Sequence, residues 1–469
     1  PAVGMVEEFS QDQVRGWVSV PAVTPPTRVD LFLGPIKVSS TYATPGGAMS
    51  QYAAKRRIRT PSLRPPRGDV RNSRAQIRTF SFKIHSLWSY AKRGSRFRVE
   101  VNGQALPIHG HGMFLRAPRS GEHSPALLRE RLDSGWVLAR TGMVQLSKQL
   151  NTEWQTAVMD LYTSVRRVVA EAHGYDLFLT FGTLLGAIRE GGYIGHDNDF
   201  DVAFVSRESH GPAAAAELVA IARTLLDRGY RVEAVGSCLH VVDAKQPKYR
   251  IDVFHTYFDP SGELRHPFGY AGTTPVTQRM WKGTREIPFS GDRALVPVGA
   301  EELLAALYGD DWRQPKTGFD WMHERRGADE SGQLTPAQRT TVYWADYYAH
   351  HGHTEGSSFA QFVQDRSDTP GTVVDIGCGD GRDSFHFGSA GRTVLALDRS
   401  DVGIARARER AAGAGLSDRM SFEVVDLGDA DGLRKVLATV DAGPVLFYTR
   451  FVLHAITEDV QETLLDVLG

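Results

Sequence analysis

Several features are scarce in this chain of 469 residues, and each scarcity excludes a class of protein. Its two cysteines, Cys238 and Cys378, offer no disulfide framework and no zinc-site spacing, which fits a reducing compartment. The formal net charge is −1, so no global field attracts nucleic acid, and we expect no nucleic-acid partner. No apolar run approaches the ~20 residues that a membrane helix needs, and the N-terminus lacks a signal-peptide core. We therefore expect a cytoplasmic protein.

Positive charge is concentrated in residues 55–74, which are rich in arginine and proline. One interpretation of this basic run is peripheral contact with the inner face of a membrane. A solvated basic loop is the commoner explanation of such a run. Nothing in the sequence indicates an oligomeric state.

Length predicts about three domains, and 41% hydrophobic and 23% charged residues are typical of globular proteins. Residues 1–118 contain short strand-like runs between prolines and glycines. Val29, Leu31 and Leu33 share one parity, the pattern of a half-buried strand, and Asn102-Gly103 is a strong hairpin signal. We predict an N-terminal β-sandwich that serves as an accessory module.

Residues 119–173 are predicted to form a helical connector, because the sequence shows no strand pattern from Ser124 to Ala172. Apolar residues recur there at steps of three and four, as in an amphipathic helix. These residues are Leu146, Leu150, Trp154, Val158, Leu161, Val165 and Val168. Gly174 follows His173 and marks the predicted end of the helix, because glycine is favoured just beyond a helix C-terminus.

The stretch Phe181–Val202 combines a Gly-Thr turn, a helical run, a glycine-rich loop and regularly spaced carboxylates. Asp197, Asp199 and Asp201 share a parity, and in an extended strand Asp199 and Asp201 project to the same side. Like charges this close repel each other unless a cation lies between them. Oxygen-only ligands suit Mg²⁺ (or Mn²⁺), which usually also contacts substrate phosphates. The stretch therefore predicts a metal-dependent phosphoryl-transfer site with Asp199 and Asp201 as ligands.

A third carboxylate, Asp252, is flanked by apolar residues in a later predicted strand, where it is costly unless paired or bound to metal. It is predicted to complete the metal site or to act as a general base. Gly182 and Thr183, between a strand and a helix, form a candidate phosphate-binding turn. The further candidates for substrate contacts are Arg189, His196, Lys248 and Arg250. For each of the positively charged ones, an ordinary surface charge is the alternative.

These residues, together with the segment Tyr308–Trp312, resemble the LicD family, which includes relatives of fukutin and fukutin-related protein. The resemblance implies an α+β nucleotidyltransferase-like domain over residues 174–330. It also implies transfer of phosphocholine, an alditol phosphate or a similar group from a CDP-activated alcohol donor to a glycan or polysaccharide. The family's Pro-Trp before the acidic run is replaced here by Gly195-His196, where His196 either contacts the substrate or fills the place of the Trp. A middle Asp is replaced by Asn198.

Residues 334–469 alternate strand-like and helical segments, with an Asp-x-Gly-x-Gly-x-Gly turn after the first strand. The turn consists of Asp375, Gly377, Gly379 and Gly381, and Asp398 ends the second strand. This pattern resembles the class I S-adenosylmethionine-dependent methyltransferases, with an α/β Rossmann-like fold. The resemblance implies that the turn binds the methionine part of S-adenosylmethionine, that Asp398 binds the ribose and that Asp426 lies near the adenine. Acceptor-site residues commonly follow the fourth strand in this family, where Arg450 and His454 stand, and a purely structural role is the alternative for His454.

The methyltransferase-like pattern stops earlier than such a fold normally does, so we expect this domain to be truncated and doubt its activity as it stands. Our first functional hypothesis is a transferase that adds a phospho-alcohol to a surface polysaccharide such as a capsule or teichoic acid, coupled to methylation. One alternative is a nucleotidyltransferase that makes an activated precursor. The other is a non-catalytic glycan-binding scaffold.

Overall fold

A computed structural model of the chain describes residues 3–21, 26–45, 75–267, 273–315, 332–352, 355–366 and 368–469. The basic run 55–74 lies outside the described residues. Within them, no helix is both long and apolar enough to cross a membrane. The chain divides into two compact units, one made of Pro1–Ala215 and Tyr249–Gln333, the other of Ala216–Lys248 and Leu334–Gly469. Residues 216–248, expected in the transferase domain, thus belong to the second unit.

The N-terminal part of the first unit is an antiparallel β-structure. Its strands are β1 (Val3–Phe9), β2 (Gln13–Pro21), β3 (Thr27–Leu33), β4 (Ile36–Pro45), β5 (Ala75–Lys83), β6 (Arg96–Val101), β7 (Gln104–Ala105) and β8 (Leu115–Arg116). Their order is β1-β2-β5-β4-β3-β6-β7, and β8 pairs with β6. Strand β4 pairs with both β3 and β5, so it joins the two halves of the sheet. The two-layer sandwich stays a prediction.

The strand pattern read from the sequence is confirmed in this β-structure. Val29, Leu31 and Leu33 of β3 are fully buried, while the residues between them are more exposed. Asn102 and Gly103 have φ angles of 49° and 76° and connect β6 to β7. Both values lie in the left-handed region, as a two-residue hairpin turn requires. Burial of alternate apolar residues on one face of the strands supplies the core here.

The segment predicted to be a helical connector contains a hairpin as well as helices. Its elements are α1 (Pro125–Asp133), β9 (Trp136–Leu138), β10 (Val144–Leu146) and α2 (Thr152–His173). Helix α2 ends as predicted, with Gly174 at a φ of 68°. Leu146 lies instead in β10, and Leu150 precedes α2 and is 54% exposed, so neither belongs to the apolar helix face. Their spacing fits a helix by chance, because periodicity cannot locate the Asn151 cap that begins α2.

The rest of the first unit surrounds a short mixed sheet. Its elements are β11 (Phe178–Leu179), α3 (Phe181–Arg189), β12 (Asp201–Val205), β15 (Gln246–Phe258), β16 (Glu263–Arg265), β17 (Thr273–Thr277), β18 (Thr284–Phe289), β19 (Asp292–Pro297) and α5 (Ala300–Tyr308). Strand β11 is antiparallel to β12, and β12 is parallel to β15. The parallel pairing places Asp201, the first residue of β12, beside Asp252, which lies in the middle of β15.

The second unit contains a parallel sheet covered by helices. Helix α4 (Gly211–Asp227) runs into this unit, followed by β13 (Tyr230–Ala234), β14 (Cys238–Asp243), α6 (Pro336–His350), α7 (Ser358–Gln364), β20 (Thr372–Ile376), α8 (Arg382–Ser389), β21 (Thr393–Asp398), α9 (Asp401–Gly413), β22 (Met420–Val424), α10 (Ala430–Leu437), β23 (Val445–Thr449) and α11 (Glu458–Leu468). The sheet order is β22-β21-β20-β23, with every pair parallel. This is the doubly wound arrangement that the alternating sequence pattern predicts.

Apolar residues of this sheet are buried on both faces. Val373 packs into one cluster with residues of α7, α8 and α9, and its neighbour Val374 packs into the opposite cluster with residues of α10 and α11. A parallel strand that is covered on both faces has a continuous run of apolar residues, and such a run in the sequence predicts a strand here. Asp346 of α6 accepts a hydrogen bond from the backbone N–H of Val232 in β13 at 2.9 Å and thus fixes the helix to that strand.

Two buried histidines of the first unit make its stability dependent on pH. Burial lowers the pKa of His255 and of His266 to about 4 each. An unfolded chain binds these protons near pH 6.5. Between about pH 6.5 and 4 the unfolded state therefore binds more protons, and stability falls as the pH falls through this window.

We expect His255→Gln to weaken this pH dependence. The His255 Nε2 donates to the Gly332 carbonyl at 2.9 Å, a bond that glutamine can reproduce, and its Nδ1 has no partner among the described residues. Between pH 7 and 5, the free energy of unfolding should fall in both proteins, and the fall should be about 1 to 2 kcal/mol smaller in the variant than in the parent. Urea unfolding at several pH values measures this, with the exposed His111→Gln as control. Equal pH slopes for parent and His255→Gln would contradict the prediction.

Candidate functional site

The site of the first unit begins at the turn between β11 and α3. Phe181 has a φ of 43°, in the left-handed region that non-glycine residues seldom adopt. A Cβ atom added to the next residue, Gly182, would lie 2.2 Å from Asp197 Oδ2. The carboxylate of Asp197 thus lies directly against the first turn of α3, where the helix dipole favours a negative charge. Gly182 is needed here for this close approach, and any larger residue would displace the carboxylate.

Thr183 connects the same turn to the acidic strand. Its buried Oγ1 accepts a hydrogen bond from the backbone N–H of Asp201 at 2.8 Å. Asp201 is the first residue of β12, so this bond fixes the start of that strand relative to α3. Thr183 therefore has a positioning role that the sequence did not reveal, beside its predicted role as a phosphate ligand.

Asp201 and Asp252 face each other across the parallel pair β12 and β15. They are buried, with 9% and 7% of their surface exposed. Burial, followed by the negative charges of Asp199 and Asp252, raises the pKa of Asp201 well above its ordinary value. Burial and Asp199 likewise raise the pKa of Asp197. The carboxylates predicted to act together are therefore gathered in one place, where their mutual repulsion calls for positive charge.

Two arginines supply positive charge to this cluster. Arg140 Nη2 donates to Asp199 Oδ2 at 2.7 Å. Arg250 Nε lies 3.1 Å from Asp252 Oδ1, and its Nη2 lies 4.0 Å from Asp199 Oδ1. Arg250 was a sequence candidate, whereas Arg140 was not. Both side chains keep 48% of their surface exposed, so they border the cluster and remain open to solvent.

Arg140 reaches the cluster because of the hairpin between α1 and α2. The backbone N–H of Arg140 donates to the His196 carbonyl at 3.1 Å, and that of Lys148 to the Gly195 carbonyl at 2.9 Å. Although burial opposes it, the charges of Asp197 and Asp199 raise the pKa of Arg140. Burial lowers the pKa of Lys148, against the pull of the same carboxylates. No sequence spacing links Arg140 to residues so much later in the chain, so only the fold could reveal it.

The residues of this cluster fit a divalent cation. Asp199, Asp201 and Asp252 offer oxygen ligands only, the type that Mg²⁺ and Mn²⁺ prefer. Burial, followed by the charges of Asp199 and Asp252, disfavours the ionised form of Asp201 in the absence of a cation. A bound cation would relieve that repulsion.

Two further sequence candidates lie at the edge of the cluster. Burial and the charges of Arg189 and Arg140 lower the pKa of His196 to about 4, so its imidazole is neutral at pH 7. Arg189 is mostly buried, and it donates to the Glu190 carboxylate at 2.8 Å and to the Trp312 carbonyl at 3.3 Å. Arg189 therefore attaches the end of α3 to the segment after α5. Its predicted contact with substrate is not tested by these bonds.

The segment Tyr308–Trp312 lies near the same carboxylates. Tyr308 is buried at the end of α5, and burial followed by the charges of Asp197 and Asp201 raises its pKa well above the ordinary value. The downstream residues quoted for the family resemblance are thus part of this region. Lys248, by contrast, is exposed and belongs to the second unit, so its predicted role in binding phosphate stays a prediction.

The second unit has its own candidate site at the turn after β20. Gly377, Gly379 and Gly381 have φ angles of 74°, 60° and 81°, all in the left-handed region. The backbone N–H of Gly379 donates to Asp398 Oδ2 at 2.8 Å, and that of Ser400 to Asp398 Oδ1 at 2.7 Å. A carboxylate has about four acceptor sites, so Asp398 keeps acceptor capacity for ligand hydroxyls. The residues predicted to bind S-adenosylmethionine are thus joined through the backbone.

The other two acidic candidates of this site differ in their environment. Asp375 is 2% exposed, accepts a hydrogen bond from Ser384 Oγ at 2.5 Å, and has its pKa raised to about 7 by burial. This hydrogen bond connects β20 to α8, the two elements on either side of the turn. Asp426 is exposed after β22, and its Oδ1 accepts from the Gly428 N–H at 2.9 Å. Its predicted place beside adenine is not tested.

Tyr348 of α6 covers the glycine turn and was missed in the sequence. A Cβ atom on Gly379 would lie 2.4 Å from the Tyr348 hydroxyl, so the tyrosine rests directly on the turn. Burial, followed by the charge of Asp398, raises the pKa of Tyr348. The only sequence signal was the cluster of aromatic residues in α6, which equally suits ordinary packing.

Comparison with known families identifies two domains in this chain. Residues 174–298 match the family described as "LicD/FKTN/FKRP, nucleotidyltransferase domain". Residues 373–467 match a methyltransferase domain family. The chain therefore contains a LicD domain and a methyltransferase domain, as the two sequence resemblances indicated. The methyltransferase-like fold of the C-terminal part is confirmed, and the nucleotidyltransferase-like fold stays a prediction.

Individual relatives resemble the methyltransferase part. A probable tocopherol O-methyltransferase of Oryza sativa subsp. japonica is 29% identical over 134 residues, which cover 28% of this chain and 34% of the relative. The glycopeptide N-methyltransferase MtfA is 24% identical, covers 24% of this chain and 51% of its own, and gives a TM-score of 0.20. A structure titled "Conversion of a Disulfide Bond into a Thioacetal Group during Echinomycin Biosynthesis" is 26% identical to this chain. The match covers 24% of this chain and 44% of the solved chain, with a TM-score of 0.21. The match thus spans about a third of the curated relative and about half of each solved chain.

We expect Thr183→Val to destabilise the first unit. Valine has the shape of threonine but cannot accept the hydrogen bond from the buried Asp201 N–H, so this donor loses its partner. The expected loss is about 1 to 3 kcal/mol of unfolding free energy, measured by urea unfolding. Thr156→Val on the exposed side of α2 is the matched control and should change stability by less than about 0.5 kcal/mol. A loss no larger than that of the control would contradict the role assigned to Thr183.

Proposed function

We propose that the first unit transfers a phospho-alcohol, such as phosphocholine or an alditol phosphate, from a CDP-activated donor to a cell-surface glycan. The observation that carries this proposal is the facing pair Asp201 and Asp252, with Asp199 beside them and two arginines at the border. Such an arrangement suits a substrate with several negative charges. The match to the LicD family supports the donor class. The polysaccharide acceptor and a place at the inner face of a membrane are parts of the same proposal.

The proposed reaction replaces one phosphoester bond by another. A hydroxyl oxygen of the glycan attacks the phosphorus that bears the alcohol, the bond from this phosphorus to the oxygen of CMP breaks, and CMP leaves with the electron pair. The hydroxyl proton passes to a carboxylate of the cluster. Mg²⁺ or Mn²⁺, when held by Asp199, Asp201 and Asp252, supplies charge neutralisation at the diphosphate. Arg140 and Arg250 are placed to bind phosphoryl oxygens through charge-assisted hydrogen bonds.

The second part of the proposal is that the C-terminal domain methylates the same polysaccharide or its added group. The methyl group of S-adenosylmethionine moves to the acceptor, and the electron pair of the broken bond stays on sulfur, which gives S-adenosylhomocysteine. The glycine turn lets a ligand approach the backbone closely, and Asp398 accepts hydrogen bonds from ribose hydroxyls. The match to the methyltransferase family supports this assignment.

We expect the double substitution Asp199→Asn and Asp201→Asn to abolish transfer. The change keeps the size of the side chains but removes the negative charges that would hold the metal. With CDP-choline or CDP-ribitol and Mg²⁺, release of CMP should fall by about a hundredfold or more, the range found when one charge-stabilising group is removed. Chromatography of the nucleotide products measures this and also separates CMP from pyrophosphate.

Asp160→Asn is the matched control, because Asp160 is an exposed carboxylate on α2 in the same unit. It should leave CMP release unchanged. CMP release that persists in the double variant would contradict the metal site. Release of pyrophosphate by the parent would instead favour the nucleotidyltransferase alternative.

We expect Asp398→Ala to weaken binding of S-adenosylhomocysteine by about tenfold or more, because it removes an acceptor of charge-assisted hydrogen bonds. The substitution also frees the Gly379 N–H and so loosens the glycine turn. Calorimetric titration of the full chain measures the affinity. Asp418→Ala is the control, because it removes an exposed carboxylate of the same unit. Equal affinities for the two variants would show that Asp398 does not contact the cofactor.

A further inference from the structure

The loop after β23 lies beside the glycine turn of the second unit. In the sheet, β20 has β21 on one side and β23 on the other, so the chain changes direction between β20 and β23. In open α/β sheets ligands bind in the crevice beyond the carboxyl ends of the strands at such a switch point. A Cβ atom on Gly377 would lie 2.1 Å from Val452 Cγ2, so the two loops are in contact. Whatever occupies this crevice therefore meets both loops.

Arg450 is the cationic residue that begins this loop, and a buried carboxylate holds it. Its Nε donates to Asp383 Oδ2 at 2.7 Å. Asp383 also accepts from the Tyr448 hydroxyl at 2.7 Å, and from the Ser357 N–H at 2.7 Å and hydroxyl at 2.8 Å. Three donors besides Arg450 already satisfy this carboxylate. The arrangement therefore orients the arginine and does more than compensate a buried charge.

Arg450 keeps hydrogen-bonding capacity for a ligand. A guanidinium carries five N–H groups, and Asp383 takes the one on Nε. The side chain is 26% exposed, so it borders solvent although its partner is buried. The ring of Phe451 lies 4.8 Å from the guanidinium carbon and covers it. An arginine fixed in this way presents a planar edge, which suits two oxygens of one anionic group.

Phe451 adds a second, independent observation. Its φ is 61°, a left-handed value that is a genuine outlier for a bulky residue, and its side chain is 71% exposed. Backbone strain of this kind persists where surrounding structure enforces it, and it clusters at ligand-binding sites. The ring of Phe451 contacts the Arg450 guanidinium and, edge to face, the His454 ring at a centroid distance of 5.8 Å. This strained conformation places the Phe451 ring over the Arg450 guanidinium at the start of the loop.

We propose that Arg450 selects a methyl acceptor that carries an anionic group, a phosphate or a carboxylate, bound in the crevice between the ends of β20 and β23. This inference rests on the methyl transfer proposed above and names its substrate class. It also connects the two proposed activities, because the LicD-type reaction would place a phosphate on the glycan. Asp383 is a positioning residue in this arrangement, since it acts through Arg450.

The test compares sugars that differ only in charge. Glucose, glucose 6-phosphate and glucuronate are titrated calorimetrically into the full chain saturated with S-adenosylhomocysteine. EDTA is present, so that the aspartate cluster of the first unit holds no divalent cation. At least one anionic sugar should bind about tenfold or more tightly than glucose, as expected for hydrogen bonds to a charged group. The pair of anionic probes distinguishes phosphate from carboxylate recognition.

Arg450→Gln should reduce that preference to about twofold or less, and Arg450→Lys should retain part of it, because lysine keeps the charge but not the planar fork. Affinity for S-adenosylhomocysteine should stay within about twofold in both variants, since the glycine turn and Asp398 are intact. Arg434→Gln is the matched control. Arg434 is 58% exposed on α10, so its substitution removes the same charge elsewhere in the unit.

Two results would overturn the inference. One is a wild-type chain that binds glucose as tightly as both anionic sugars. The other is an Arg450→Gln variant that keeps the full preference for the anionic sugar. Failure of the underlying methyltransferase proposal is seen separately, as a wild-type chain that does not bind S-adenosylhomocysteine at all.

Discussion

The first unit depends on one electrostatic constraint, the gathering of several aspartates at the meeting point of two parallel strands. Asp201 and Asp252 face each other, and Asp199 lies beside them. Such repulsion is tolerated only with compensating positive charge. Arg140 and Arg250 provide it from two different elements. The hairpin that carries Arg140, the close contact at the turn of α3 and the parallel pairing of β12 with β15 all serve to hold these charges together.

The second unit also contains buried carboxylates whose charge has to be compensated. The carboxylates of its candidate site are compensated by hydrogen-bond donors more than by charges. Two backbone N–H groups donate to Asp398, and Ser357 and Tyr448 donate to Asp383 beside Arg450. Backbone donors are fixed in direction and carry no side-chain entropy, so they preorganise a site for a ligand that has hydroxyls and a defined shape. The first site is bordered instead by two partly exposed arginines, which accords with the multiply charged donor proposed for it.

The two functions suggest a chemical order. The proposed LicD-type step leaves a phosphodiester and thus a permanent anion on the glycan. An acceptor site that binds an anionic group through Arg450 would then favour the product of that step over the unmodified polymer. Selectivity of this kind requires no contact between the two active sites, only that the product of one carry the group that the other recognises.

The sequence by itself determined the elements whose signals are local. Alternating apolar residues defined β3, Asn102-Gly103 defined a hairpin, Gly174 ended α2, and the glycine turn with Asp398 defined the Rossmann-like half. Each depends on backbone geometry or on periods of two to four residues, which a single chain displays directly. The carboxylates of Asp199, Asp201 and Asp252 were also visible in this way, as charged residues in two otherwise apolar predicted strands.

Only the tertiary structure decided which distant residues complete the sites. Arg140 meets Asp199 across 59 positions of the chain, Tyr348 rests on the glycine turn from another helix, and Arg189 turns toward the Trp312 carbonyl. No sequence spacing predicts any of these contacts, because strand register and loop packing, not distance along the chain, bring the groups together. The same holds for Arg450, whose orientation follows from three other donors converging on one buried carboxylate.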